Sequence, residues 1–301
     1  MGKTKKWLMT AAVMVVLGLI LFAAVMTAYQ WDFTKLSTVT YETNTYEISE
    51  EFHSISVNTD TADLVFAVSP DERCSVVCYE AEKAGHSAEV RDGTLTIAVV
   101  DKREWYDYIG ISIGAPKITV YLPEREYASV CIQESTGDVE IPKDFKFESV
   151  DISVSTGDIC IKGVTAGMLD LSVSTGKVTV VGVSCEGDVT IDVSTGKAEV
   201  TDVRCKNLIS AGSTGDIVLE NVIASEKISV VRTTGDVLLD GCDGAELFLK
   251  SSTGDIEGTL LTEKVFLAES STGSIDVPDT FTGGKCEISA DTGDIHIRII
   301  P

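Results

Sequence analysis

The sequence predicts an all-β protein: a parallel β-solenoid of roughly 20-residue coils behind one N-terminal transmembrane helix. Two observations predict the solenoid. A Thr-Gly step recurs nine times, at Gly137, Gly157, Gly176, Gly196, Gly215, Gly235, Gly254, Gly273 and Gly293, always 19 or 20 residues apart. On both sides of each step the apolar residues alternate with polar ones and are rich in Val and Ile, the pattern of two half-buried strands meeting at a corner. A third observation predicts the helix: an uncharged apolar run from Trp7 to Ala28, about the length that crosses a bilayer.

Residues 1–6 form a short tail carrying Lys3, Lys5 and Lys6, and residues 7–28 form the membrane anchor. The basic flank is expected on the cytoplasmic side, so the rest of the chain lies outside the cell in a single-pass topology. A cleaved signal peptide is the competing reading, with Ala23-Ala24 or Thr27-Ala28 near the cut, but the apolar run is long for one. Residues 29–46 are polar and Thr-rich and read as a juxtamembrane linker.

Residues 47–127 read as a degenerate first coil with an inserted β cap. The stretch from Ser54 to Phe66 matches the repeat position by position, with Thr61-Ala62-Asp63 standing where Thr-Gly-Asp recurs. Cys74–Glu80 and Ser87–Val100 are expected strands, the second interrupted by an Asp92-Gly93 hairpin turn. Lys102–Ile109 reads as a loop, and Lys117–Leu122 as a strand stopped by Pro123.

Residues 128–301 are the regular repeats. Around Gly157, for example, Val150 and Ile152 precede the corner and Ile159 and Ile161 follow it. A further apolar column seven residues after the glycine (Val164, Val183, Val203, Val222) suggests a third short side closing each coil. One such coil cannot bury its own inner face, so coils must stack around a shared core. Nine coils at strand spacing make a rod about 40 Å long. A β-sandwich also spaces strands regularly, but not in one register held over nine units.

The repeated Ser-Thr-Gly-Asp-Ile/Val units, the segment Ile118-Thr119-Val120-Tyr121-Leu122-Pro123 ahead of the array and the N-terminal anchor resemble the bacterial putative-adhesin family of β-strand-repeat proteins, which includes LiaG-like membrane proteins of Gram-positive bacteria. The resemblance runs from about Glu47 to Ile300. It implies a surface protein of this fold and brings no catalytic residues with it.

The formal net charge is −23 and becomes −26 once the three lysines of the tail are set aside (−23 − 3). Such acidity excludes nucleic acid as a partner and is compatible with divalent cations or basic ligands. The residue after each glycine is usually Asp. Stacking would put Asp216, Asp236 and Asp255 about 5 Å apart, a spacing that reads as a turn-favoured solvated corner, a Ca²⁺ ladder or, as in retaining glycosidases, a carboxylate pair. Lys177 and Lys197 interrupt this column and are expected beside Asp158 and Asp216. The threonines before the glycines could form a hydroxyl ladder linking coils. Cys185 and Cys205 both lie nine residues after their glycines, within disulfide reach on adjacent coils. His53, His86 and His296 are scattered without metal-ligand spacing, and no Walker loop, dinucleotide fingerprint, nucleophile elbow or zinc motif is present.

The chain therefore reads as a membrane-anchored extracellular β-solenoid, a non-catalytic cell-envelope binding, adhesion or scaffold module without a cofactor unless Ca²⁺ occupies the corner. An envelope-stress accessory protein acting on a membrane partner is the first alternative, and a carbohydrate-active enzyme on a β-helix the second. The C-terminal stretch from Ile295 to Pro301 lacks a cap, so an open edge is expected there, pairing head-to-tail with another copy or with a partner strand and partly guarded by Arg298 and Pro301.

Overall fold

The computed structural model describes residues 3–32, 37–108, 114–143 and 145–300. A 26-residue helix, α1 (Lys3–Ala28), opens the chain. It is long and apolar enough to cross a membrane, a property that an anchor and a signal sequence share. Strands make up nearly everything else. The first nine are β1 (Tyr41–Ile48), β2 (Ser54–Thr61), β3 (Asp63–Val68), β4 (Cys74–Ala81), β5 (Ala84–Arg91), β6 (Thr94–Asp101), β7 (Lys117–Leu122), β8 (Glu126–Thr136) and β9 (Val139–Ile141). The middle coils contribute β10 (Lys146–Thr156), β11 (Ile159–Lys162), β12 (Thr165–Thr175), β13 (Val178–Val181), β14 (Ser184–Cys185), β15 (Asp188–Thr195), β16 (Ala198–Thr214) and β17 (Ile217–Thr234). The last are β18 (Val237–Thr253), β19 (Ile256–Leu260), β20 (Lys264–Thr272), β21 (Ile275–Asp276), β22 (Gly284–Thr292) and β23 (Ile295–Ile299).

From β8 to β18 the coils stack in parallel and in register, Val150 on Leu169 on Val189 and Ile152 on Leu171 on Ile191. The apolar columns point inward as their spacing requires: Val150, Ile152, Ile159 and Ile161 are all fully buried. Each corner glycine has two reasons to be glycine. Its φ lies between 119° and 152°, a region that side chains avoid. It also lies against the backbone of a neighbouring coil: a Cβ on Gly157 would stand 1.9 Å from the carbonyl oxygen of Gly137.

A second corner lies six residues on, at Gly163, Gly182, Asp202, Asn221 and Gly241, each left-handed with φ between 51° and 66°. These are the residue types that tolerate that conformation, and the third side of the coil begins there. Asp202 and Asn221 tie their layers together through an Asn221 Nδ2 to Asp202 Oδ1 hydrogen bond of 2.5 Å.

The ends of the rod depart from chain order. The degenerate coil β2–β3 is not outermost. β2 lies between β6 and β8, and β3 between β7 and β9, all parallel. Beyond that layer the sheets turn antiparallel, β5 onto β6, β4 onto β7 and β1 onto β4. The stretch expected as linker up to residue 46 is thus strand from Tyr41 onward, because Tyr41–Ile48 completes the cap by pairing with β4 along its full length. Asp92 and Gly93 make the expected two-residue turn, both with positive φ. Trp105–Tyr108 forms a short 3-10 turn within the segment read as a loop, whose last residue, Ile109, lies outside the described residues.

The C-terminal end is rearranged in the same sense. β18 pairs with β22, not β20, and β22 then pairs with β20. β23 likewise lies between β19 and β21 over its first two residues. The final coil is therefore tucked one layer inside, and the open edge expected at Ile295–Pro301 belongs to β20 and β21 instead. In this order Cys286 is fully buried, in register between Leu247 and Phe266. Pro301, expected as a guard of that edge, lies outside the described residues.

Candidate functional site

The Asp column is a hydrogen-bonded ladder. Asp216 Oδ1 accepts the Asp236 amide at 3.0 Å, Asp236 Oδ1 the Asp255 amide at 2.8 Å, and Asp255 Oδ1 the Asp294 amide at 2.7 Å. Asp138 and Asp158 repeat the contact with the amides of Asp158 and Lys177. One oxygen of each carboxylate thus closes the corner of the next coil. The donors form a line with one carboxylate per coil, so a cation beside the trio could reach two of them at most. Asp294 accepts both the amide and the hydroxyl of Ser274, hydrogen bonds that hold its carboxyl below the usual carboxylate range.

The threonines act through their backbone. The amide of Gly157 donates to the Thr175 carbonyl at 3.0 Å and that of Gly176 to the Thr195 carbonyl at 3.0 Å, while the threonine side chains face solvent. Lys177 and Lys197 do not use the aspartates expected as partners. Their ammonium groups converge on Glu199, at 2.6 and 3.0 Å, and pull its carboxyl below the ordinary glutamate range. Both reach Glu199 because it lies two residues beyond Lys197, on the outer face.

Cys185 and Cys205 do occupy neighbouring coils, one residue past the Ser184–Arg204 pair, but both are free thiols and the expected disulfide is absent. In-register parallel neighbours point their Cβ atoms the same way, about 4.8 Å apart, whereas a disulfide draws them to about 3.8 Å. The Cys185 thiol donates instead to the carbonyl oxygens of Gly167 and Asp188, and burial pushes the Cys205 thiol up to about 12.

The surface that stands out is the uncapped end. Among the described residues β20 pairs with β22 on one side only, and its other row of amides and carbonyls has no strand partner. Val265 and Leu267 point outward along it, and Ile275 and Phe281 stand beside it, Phe281 with 83% of its surface exposed. One device guards this edge: Lys264, at its start, turns inward, is buried, and pairs with Asp243 at 2.7 Å. The sequence foretold an open edge at this end but not that β20 forms it, because either order of the last two coils satisfies the apolar columns.

Thr-Gly corners stacked in register, with an apolar helix ahead of them, define a β-solenoid repeat protein. A family described as Toastrack DUF4097 matches residues 52–221 and again 186–300, and the chain belongs to that family. Comparison with curated proteins gives no match. Among solved structures, a putative adhesin from Parabacteroides merdae is similar with a TM-score of 0.54 at 13% identity, over 87% of this chain and 98% of that one. A putative lipid binding protein from Parabacteroides distasonis is similar with a TM-score of 0.53 at 15% identity, over the same shares. At these identities the likeness is one of fold.

Proposed function

We propose that the protein is a membrane-anchored, non-catalytic binding module of the cell envelope, with its N-terminus in the cytoplasm and the solenoid outside. Its contact surface is the uncapped end of the rod. The observation that carries this is the free edge of β20 with Val265, Leu267 and Phe281 exposed beside it. An edge of that kind takes an extended polypeptide segment as an added strand: main-chain hydrogen bonds supply affinity, and alternate side chains supply selectivity. The anchor joins the chain at the capped end, through β1, so the free edge is the end farther along the rod from the tether. Family membership and the adhesin description of a structural neighbour support a surface binding role.

The test is photo-crosslinking in intact cells, with the reactive residue at Leu267 or Phe281 and a control at Asp192 on the side of the rod. Adducts to a protein from the first two positions and not from the third are expected. Adducts from Asp192 alone, or from none of the three, would overturn the proposal. Protease added to intact cells should degrade the solenoid, and its full protection would overturn the orientation.

A further inference from the structure

The capped end holds a cluster that the corner ladder and the open edge leave unexplained. Cys78 and Glu80 are two residues apart on β4, so both side chains point into the interior, and both are almost completely buried. The chain turns at residues 82–83, and His86 on β5, also buried, faces the same spot. Among the described residues this is the one group of three metal-ligating side chains whose donor atoms all lie within 4.8 Å of one another. We infer that Cys78, Glu80 and His86 form a binding site for one divalent transition-metal ion of the zinc type.

The donor set selects the ion. A thiolate, an imidazole and a single carboxylate suit Zn²⁺ and its neighbours, whereas Ca²⁺ and Mg²⁺ require six or more oxygens. His86 Nδ1 and Glu80 Oε2 are 2.8 Å apart. Two ligand atoms around a tetrahedral zinc lie about 3.3 Å apart, so admitting the ion asks for an opening of roughly half an ångström. Charge also balances: one thiolate, one carboxylate and a neutral imidazole cancel a +2 ion, which suits a site withdrawn from water.

The surroundings are arranged as an outer shell of such a site. The other ring nitrogen, His86 Nε2, lies 2.9 Å from Thr59 Oγ1, a contact that fixes the ring with Nδ1 toward the cluster. The second carboxylate oxygen, Glu80 Oε1, accepts from Asn44 Nδ2 at 2.8 Å, and the Tyr46 hydroxyl donates to the His86 carbonyl at 2.5 Å. Gly85 leaves the space this needs, since a Cβ there would lie 2.9 Å from Glu80 Oε1. A cleft of about 230 Å³ lined by Asn44, Tyr46, Glu80 and His86 gives an ion a way in and a water a place as fourth ligand. The ion would join β4 to β5 where they part, β4 into the sheet of β7 and β5 into that of β6, so its role is to lock the cap.

The test uses the full chain in detergent, reduced, freed of metal with a chelator and titrated with Co²⁺. One equivalent should give a thiolate-to-cobalt charge-transfer band in the near ultraviolet with intense tetrahedral visible bands, and one equivalent of Zn²⁺ should abolish both. Cys78→Ser should remove the charge-transfer band, and Thr59→Val should weaken binding about 10–100-fold while leaving the spectrum in place. Absence of the band in the wild type, or its persistence in Cys78→Ser, would overturn the site and leave a buried hydrogen-bonded Glu–His pair as the cluster's role. Should Cys78→Ser fail to fold, X-ray absorption of the zinc-loaded wild type decides. One sulfur with nitrogen and oxygen ligands supports the site, and no sulfur or more than one overturns it.

Discussion

Gly176 lies directly over the carbonyl of Gly157: a Cβ on Gly176 would stand 1.9 Å from that oxygen. The atom in the way is backbone and cannot swing aside, and the φ of 149° adds strain for any side chain. Gly176→Ala should therefore destabilise the solenoid by about 2–4 kcal/mol. Because each coil touches only its neighbours, denaturant unfolding should also lose cooperativity, with a lower m-value or a second transition. An unchanged midpoint and slope would show that the corner tolerates a side chain.

The corner glycines and inward columns were legible because every coil meets the same constraint, so the constraint is written nine times. The second corner was written too, at Gly163, Gly182, Asp202, Asn221 and Gly241, but its mixed identities hide a single conformational demand. The order of the end coils is different in kind. β20 and β22 both carry the apolar pattern, and the period does not record which of them docks on β18. The Cys78, Glu80 and His86 cluster was illegible for a related reason: its residues meet only because β4 and β5 turn toward one interior point. The lysines at 177 and 197 were visible as departures, while their partner, Glu199, lies on the outer face, outside the repeated columns.

Glu134 gives the fold a pH dependence. Its side chain occupies an inward position next to the Gly137 corner; among the described residues one oxygen has no partner and the other is held only weakly by the Ala62 amide at 3.4 Å. Burial, with Asp63 and Asp138 nearby, pushes its carboxyl up to about 8. A carboxyl raised in the folded state keeps its proton where the unfolded chain, titrating near 4.5, has lost it. Its stabilising effect is therefore complete below about pH 4.5 and declines as pH rises toward 8, where the folded carboxyl ionises too. The loss across that window is up to about 4–5 kcal/mol. Glu134→Gln should flatten stability between those pH values, as read from denaturation midpoints; a slope equal to wild type would place the dependence elsewhere.

Among the described residues Arg232 is the largest fully buried side chain, and burial lowers its pKa. Its Nη2 donates to Ser210 Oγ at 2.9 Å while its Nε has no partner among the described residues. Gly212 makes the room, because a Cβ there would lie 1.7 Å from Nη1. Ser210→Ala should cost about 1–3 kcal/mol by stripping an acceptor from a buried cation. Arg232→Met should be neutral or stabilising, since an apolar chain of similar length removes the unmet demand. In the double variant the Ser210→Ala cost should vanish, and simple additivity of the two changes would show that the pair is not coupled.

Lys264 bears on the open end. It is the inward charge at the start of the free edge strand, held by Asp243, which also accepts from the Thr262 hydroxyl at 2.9 Å and the Gly244 amide at 2.9 Å. Removing the lysine therefore leaves Asp243 with partners while taking the guard from β20. Lys264→Met should change the melting temperature little and raise self-association, because the edge strand then has no inward charge fixing its start and its main-chain groups, Val265 and Leu267 are left to pair. Sedimentation velocity of the two proteins in the same detergent, across a concentration series, reads the difference. Leu267→Lys combined with Lys264→Met should reverse it by placing a charge on the outward face of the same strand. If Lys264→Met sediments as wild type does at every concentration, the inward lysine is a local ion pair and the edge is kept free by its geometry alone.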